Sequence, residues 1–117
     1  MAGLRDVIDG LAQRSGVAAV ALVSADGLVI DQAMSGAGDP DEVAALSATL
    51  VQHAAHLGIA GERGVFQAGV LEYDHGMIVL SQAGDDGFLV LLVEENHNVG
   101  ALLFDLRRHE PAIAALL

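Results

Sequence analysis

Apolar and polar positions change their period several times along the chain, and each change marks an element. Leu4, Val7, Ile8 and Leu11 follow the spacing of one helix face, which predicts a first helix over Leu4 to Arg14 with Gly16 as its C-terminal cap. Residues 17–23 and 28–34 are short apolar runs separated by Ser24-Ala25-Asp26-Gly27. Asp-Gly at the end of such a connection signals a hairpin, because glycine takes positive φ cheaply. Asp26 beside a flexible glycine also has the makings of a catalytic or metal-binding loop. Its side-chain to backbone hydrogen bonds at a turn corner account for it without chemistry. The first strand is apolar on both faces and needs cover above and below, unlike a half-solvated antiparallel strand.

Asp39 as N-cap, Pro40 at the first helical position and Glu42 three residues after the cap predict a second helix over about Pro40 to Leu57. Residues placed 100° apart put Val43, Leu46, Leu50, Ala54 and Leu57 on one face, suited to packing on a sheet. Ala44, Ser47, Ala48, Val51 and Ala55 form an adjoining face of small side chains, on which a second helix could approach closely. Ala45, Thr49, Gln52 and His56 are left for water. The apolar arc is wider than a surface helix requires, which predicts self-association through this helix.

Three further runs, "VFQAGVLEY" (65–73), "MIVLSQA" (77–83) and "FLVLLV" (88–93), turn at Asp74-His75-Gly76 and at Gly84-Asp85-Asp86-Gly87, as a meander does. The last run is apolar on both faces and belongs at the centre of the sheet. Asn96 or Asn98 then caps a third helix whose Leu102, Leu103, Leu106 and Ile113 keep helical spacing. Pro111 falls inside it and predicts a kink near Arg107 to Glu110, or an end there.

Composition narrows the functional classes. A chain of 117 residues fits a single domain over 1–117, and with 53% hydrophobic residues and a mean hydropathy of +0.50 some apolar surface should go to a partner. The longest apolar runs are too short for a membrane span, no secretory signal pattern opens the chain, and cysteine is absent. These features predict a cytoplasmic protein without disulfides or thiol chemistry. With 16 acidic residues against 5 basic ones and a net charge of -11, nucleic acid and anionic membrane surfaces are disfavoured partners.

Candidate chemistry is sparse. His53 and His56 lie one helical turn apart, but a metal site needs a third or fourth ligand and no cysteine can supply it. His75, His97 and His109 are scattered. Ser24, Ser35, Ser47 and Ser81 lie outside any GxSxG elbow. The glycines of "SGAGDPDE" (35–42) lack the GxxxxGK[ST] pattern, and Asp39, Asp41 and Glu42 would repel a phosphate. The carboxylate pairs Asp39/Asp41, Asp85/Asp86 and Glu94/Glu95 all stand at element boundaries. The expectation is a protein that is not an enzyme, with no catalytic residues, cofactor or metal.

The order α-β-β-α-β-β-β-α, with "GVAAVALVSADGLVI" (16–30), the helix at Pro40 to Leu57, the meander and "NVGALLFDLRR" (98–108), resembles the roadblock/LC7 family and its bacterial MglB-like branch. The resemblance implies an α+β, profilin-like fold. Its five-stranded antiparallel sheet would carry helix 2 on one face and helices 1 and 3 on the other. It also implies a homodimer that pairs helix 2 with its counterpart and joins third strands, here Val65 to Tyr73, edge to edge. The interface would then comprise Ala44, Ser47, Ala48, Val51 and Ala55 on helix 2 with Val65, Gln67, Gly69 and Leu71 on the strand. Functionally the resemblance implies a non-catalytic regulator or scaffold of a Ras-like, MglA-type small GTPase, or an accessory chain of dynein. Glu42, Ala45, Thr49, Gln52, His53 and His56, the exposed positions of helix 2, would meet that GTPase. An arginine finger can accelerate GTP hydrolysis strongly, yet none of Arg5, Arg14, Arg63, Arg107 and Arg108 carries a motif marking it as one. Two other readings are an adaptor subunit of a larger assembly without a GTPase, and a small-molecule-binding sensor module.

Overall fold

A computed structural model describes residues 3–34, 38–95 and 97–117. The elements are α1 (Leu4–Ala12), β1 (Val17–Ser24), β2 (Val29–Met34), α2 (Pro40–Ala60), β3 (Ala68–Tyr73), β4 (Gly76–Gln82), β5 (Gly87–Val93) and α3 (Val99–Leu116). Ser35, the rest of the glycine stretch at 35–37 and Asn96 lie outside the described residues, so the nucleophile, loop and cap readings there have no structural counterpart.

The strands form one antiparallel sheet in the order β2-β1-β5-β4-β3. The two strands with apolar residues on both faces, β1 and β5, are neighbours in the middle, where both faces receive cover. On one face α1 and α3 bring Ile8, Leu11, Leu102, Leu106 and Ile113 against Val20, Leu22, Val79, Leu89 and Leu91. On the other, Ala44 and Ala48 of α2 pack over Ala21, Val23, Leu80, Phe88 and Val90. The α+β architecture is thus the one the element order implies.

At the first hairpin the Ser24 hydroxyl donates to Asp26 at 2.6 Å and accepts from the Leu28 N–H at 3.1 Å. That hydroxyl holds the Asp26 carboxyl below the usual aspartate range. Gly27, at φ +91, completes the corner, and a Cβ there would lie 3.4 Å from the Ala48 side chain. Asp26 is therefore a corner residue whose polar contacts are local.

Several boundaries differ from the sequence expectation. α1 ends at Ala12 with Gln13 as its C-cap, so Gly16 is not the cap. The positive φ of +86 at Gly16 serves the turn into β1 instead; its carbonyl accepts from the Glu94 N–H at 2.8 Å, and the His97 ring occupies the place a Cβ would take. α2 continues to Ala60, where Glu62 at φ 55 lets the Arg63 N–H reach the Gly58 carbonyl at 2.8 Å. α3 starts at an Asn98 cap, whose side chain accepts from the Ala101 N–H, and runs through Pro111 without ending. Proline in a helix interior costs about 3 kcal/mol. Leu106 before it and Ile113 after it are both buried under the sheet, and that shared anchorage offsets the lost bond.

Candidate interaction surface

α2 begins where its sequence says it should. The Asp39 side chain accepts from the Asp41 N–H at 3.0 Å, Pro40 supplies the first helical residue, and Asp41 and Glu42 place negative charge against the positive end of the helix dipole. At 21 residues α2 is, by length and composition, long and apolar enough to cross a membrane, a property the short apolar runs did not reveal. Its polar residues break those runs without lowering the average.

The helix meets the sheet with the small-residue face that adjoins the one expected, and of the expected face Val43 packs beside it. Ala44, Ser47 and Ala48 are buried against the protein's own sheet, and Val51 and Ala55 are half-buried beside them. Ala44, Ser47 and Ala48 are therefore not available to a second helix. Leu46, Leu50 and Leu57, expected to face the sheet, are 65%, 39% and 73% exposed, and Ile59 is 67% exposed. The physical reason lies below the helix. Phe88, Leu80 and Val90 fill the sheet surface, and the hairpin lies so close at Gly27 that a Cβ there would be 3.5 Å from the Ala45 Cα, so only small side chains fit above. Large residues under a helix can be matched by small ones on it, and that complementarity is the signal the helical periodicity alone could not carry. With the small face down, the leucine stripe lies along one flank of α2.

The proposed GTPase contacts divide accordingly. Glu42, Ala45, Thr49, Gln52, His53 and His56 are all exposed. At 100° per residue Ala45, Thr49, Gln52 and His56 lie on the flank away from the leucines, while His53 falls next to Leu46 and Leu57. Among the described residues no group of three or more His, Cys, Asp or Glu side chains is placed to hold a metal.

The third strand is shorter than expected. Val65 and Gln67 precede β3 and do not belong to it, although the Gln67 carbonyl accepts from the Gln82 N–H at 2.9 Å. Glu62 to Gln67 serve first to turn the chain out of α2, and Phe66 packs onto the α2-side core. Gly69 and Leu71 are in β3, paired with Leu80 and Ile78. Gly69 leaves room for the Phe66 ring, 3.7 Å from where its Cβ would be.

The two edges of the sheet differ. At β2 the Arg5 guanidinium donates to the Gln32 carbonyl at 2.6 Å and to Asp31 at 2.7 Å, and the Gln32 N–H donates to Asp31 at 2.8 Å. Both backbone groups of Gln32 are thereby occupied, the kind of obstruction that protects an edge strand from pairing. Among the described residues no side chain engages the backbone of β3.

The surface hollows are open. One, of about 450 Å³, is lined by exposed Glu72, Tyr73, Glu95 and Asn98 beside His97. Another, of about 350 Å³, is apolar and lies on the α2 side of the sheet between Ala18, Tyr73, Ile78 and Leu92. Neither gathers buried polar groups of the kind that orient a small ligand. Of the arginines, Arg5 and Arg14 are engaged within the domain, Arg14 with Asp105, and Arg108 approaches Asp105 at 3.7 Å and the Phe104 ring at 6.0 Å.

Comparison with known proteins agrees with this geometry. The family model described as Roadblock/LC7 domain matches residues 4–93. A roadblock/LC7 domain from Streptomyces avermitilis superposes with a TM-score of 0.85 at 25% identity, covering 96% of this chain and 95% of that one. MglB from Myxococcus xanthus superposes at 0.87 with 18% identity, covering 97% and 93%. A further MglB, described with a tetrameric arrangement, gives 0.87 at 20% identity over 97% and 86%. No curated protein matches the chain by sequence.

Proposed function

The chain belongs to the roadblock/LC7 family, and from that premise we propose that it is a non-catalytic homodimeric regulator of a Ras-like, MglA-type small GTPase. The observation that carries the reading is the exposed stripe of Leu46, Leu50 and Leu57 on α2, in a fold whose β3 edge no side chain among the described residues obstructs. An apolar stripe of that kind marks an interaction surface. Pairing of two copies through α2 and β3 covers it. The revised interface is Leu46, Leu50 and Leu57 on α2, flanked by Val51 and Ala55, with Gly69 and Leu71 on β3. The tetrameric arrangement of a related fold supports self-association of this kind.

Once the leucine stripes are paired, the outer flanks of the two helices form one polar ridge. Glu42, Ala45, Thr49, Gln52 and His56 line it in each copy, and this ridge is the surface offered to the GTPase. Acidic residues at its ends favour a basic patch on the partner. The direct test mixes the purified protein with the cognate GTPase loaded with GDP or with a non-hydrolysable GTP analogue. Binding in at least one state, lost on substituting Gln52 and His56, is expected; no binding in either state refutes the GTPase reading and leaves an adaptor role.

A further inference from the structure

On the sheet face opposite α2, the end of β4 meets the middle of α3. Val79 and Ala83 point into the α3-side core, so Ser81, which alternates with them, shares that face. Its side chain lines a hollow of about 230 Å³ together with Gln67, Gln82, Arg107 and Glu110. Ser81 is 4% exposed, yet no hydrogen bond engages its hydroxyl among the described residues, where buried hydroxyls are ordinarily paired. No fully occluded side-chain polar atom among the described residues lacks a partner, so the Ser81 oxygen opens on the hollow. The remaining wall is polar and holds one charge of each sign. Gln82 Nε2 donates to the Gly84 carbonyl at 2.6 Å, and Glu110 Oε1 accepts from the Gly84 N–H at 3.3 Å. These bonds pin the amide and the carboxylate to the β4–β5 turn and leave Glu110 Oε2 as an acceptor. Arg107, one helical turn before Glu110, pairs with no carboxylate among the described residues.

The lining selects the ligand. A simple anion would meet Arg107 but also Glu110, and a chain of net charge -11 repels it from a distance. A simple cation would meet Glu110 but also Arg107. A molecule that carries both charges and no net charge satisfies both residues, and the Ser81 hydroxyl and the two glutamine amides offer donors and acceptors to either end. The volume is that of about eight waters, which limits the occupant to about as many heavy atoms. We infer that this hollow binds a small free α-amino acid, its carboxylate held by Arg107 and Ser81 and its ammonium by Glu110 Oε2. The hollow lies across the sheet from α2, so its occupancy is tested separately from the dimer and the GTPase contact proposed above.

The test is an amide-resolved NMR titration of the isotope-labelled protein with L-alanine, L-serine, L-threonine and L-asparagine. Each is taken to about 20 mM, some twentyfold above the roughly millimolar dissociation constant that a ligand of this size reaches. Propionate and ethylamine serve as probes that carry one charge only. At least one amino acid is expected to shift the Gln82 and Gly84 amide signals saturably, with propionate and ethylamine at least tenfold weaker, because each leaves one charged side chain of the hollow unanswered. Arg107→Gln alters an exposed position and should weaken binding about tenfold with the other signals unmoved. Glu110→Gln keeps an acceptor for the Gly84 N–H and should weaken it similarly. No saturable shift from any of the four amino acids overturns the inference. Propionate binding as tightly as the amino acids overturns it in favour of an anion contact, and shifts that persist unchanged in Arg107→Gln overturn it by placing the ligand elsewhere.

Discussion

Leu57→Ala is the sharpest perturbation of the α2 surface. In the isolated chain the Leu57 side chain is 73% exposed, so its truncation removes little packing from the monomer, and alanine is the better helix former. In the proposed dimer the change would delete three buried carbons at about 0.8 kcal/mol for each buried CH₂. Scaling by the exposed fraction leaves about 1.7 kcal/mol per copy, and the twofold axis repeats the loss, for about 3.5 kcal/mol per dimer. A factor of ten corresponds to about 1.4 kcal/mol, so the dissociation constant should rise roughly 300-fold. Sedimentation equilibrium over a concentration series measures the constant, while circular dichroism of the dilute protein checks the monomer. A dissociation constant within a few-fold of the original, with the helix intact, would refute the assignment of the exposed stripe to the dimer interface.

Other perturbations separate the faces and edges of the molecule. Ala48→Glu places an unpaired charge in the monomer core, a change that costs several kcal/mol against a typical stability of about 5–15 kcal/mol. It should give aggregated or thermally labile protein, and a well-folded monomer with an unchanged melting temperature would show that Ala48 is not packed on its own sheet. Arg5→Ala frees the Gln32 carbonyl and removes the ion pair that holds Asp31 over the Gln32 N–H, and should yield species heavier than a dimer in light scattering as concentration rises; an unchanged mass would show that the β2 edge is blocked by something else. Asp26→Asn should lower the melting temperature slightly at pH 7. Because the Asp26 carboxyl is held below its usual range, its contribution is present above about pH 4 and is lost as pH falls through the lowered value, so the gap should close in acid. A gap independent of pH would show that the charge of Asp26 plays no part.

The sequence carried the element order, the hairpin corner at Asp26, the Asp39 cap and the central position of β5, because each rests on a local pattern or on burial of both faces of one strand. The features it did not carry depend on distant residues. Whether Ala48 or Leu50 touches the sheet is decided by Phe88 and Leu80, and by the approach of Gly27, none of which is near α2 in the chain. α3 continues through Pro111 because Leu106 and Ile113 are held by the same sheet face. Val65 and Gln67 have the alternation of a strand, yet the turn out of α2 uses them first. In the candidate site the helix and strand were legible, and the flank of the helix was not.

The unequal edges also bear on how far assembly proceeds. A sheet with two open edges can pair β2 of one copy with β3 of the next, and such head-to-tail contact does not close on itself. Arg5 and Asp31 remove β2 from that choice by occupying the N–H and C=O of Gln32. The pairing this leaves for the proposed dimer is β3 with β3, an isologous contact that one twofold axis would complete. In the proposed dimer the same axis would set the α2 leucine stripes facing each other and turn the flanks bearing Thr49, Gln52 and His56 outward, so the contact that limits the assembly would also build the surface for a further partner. On that proposal, closing one edge would fix both the size of the assembly and the face it presents.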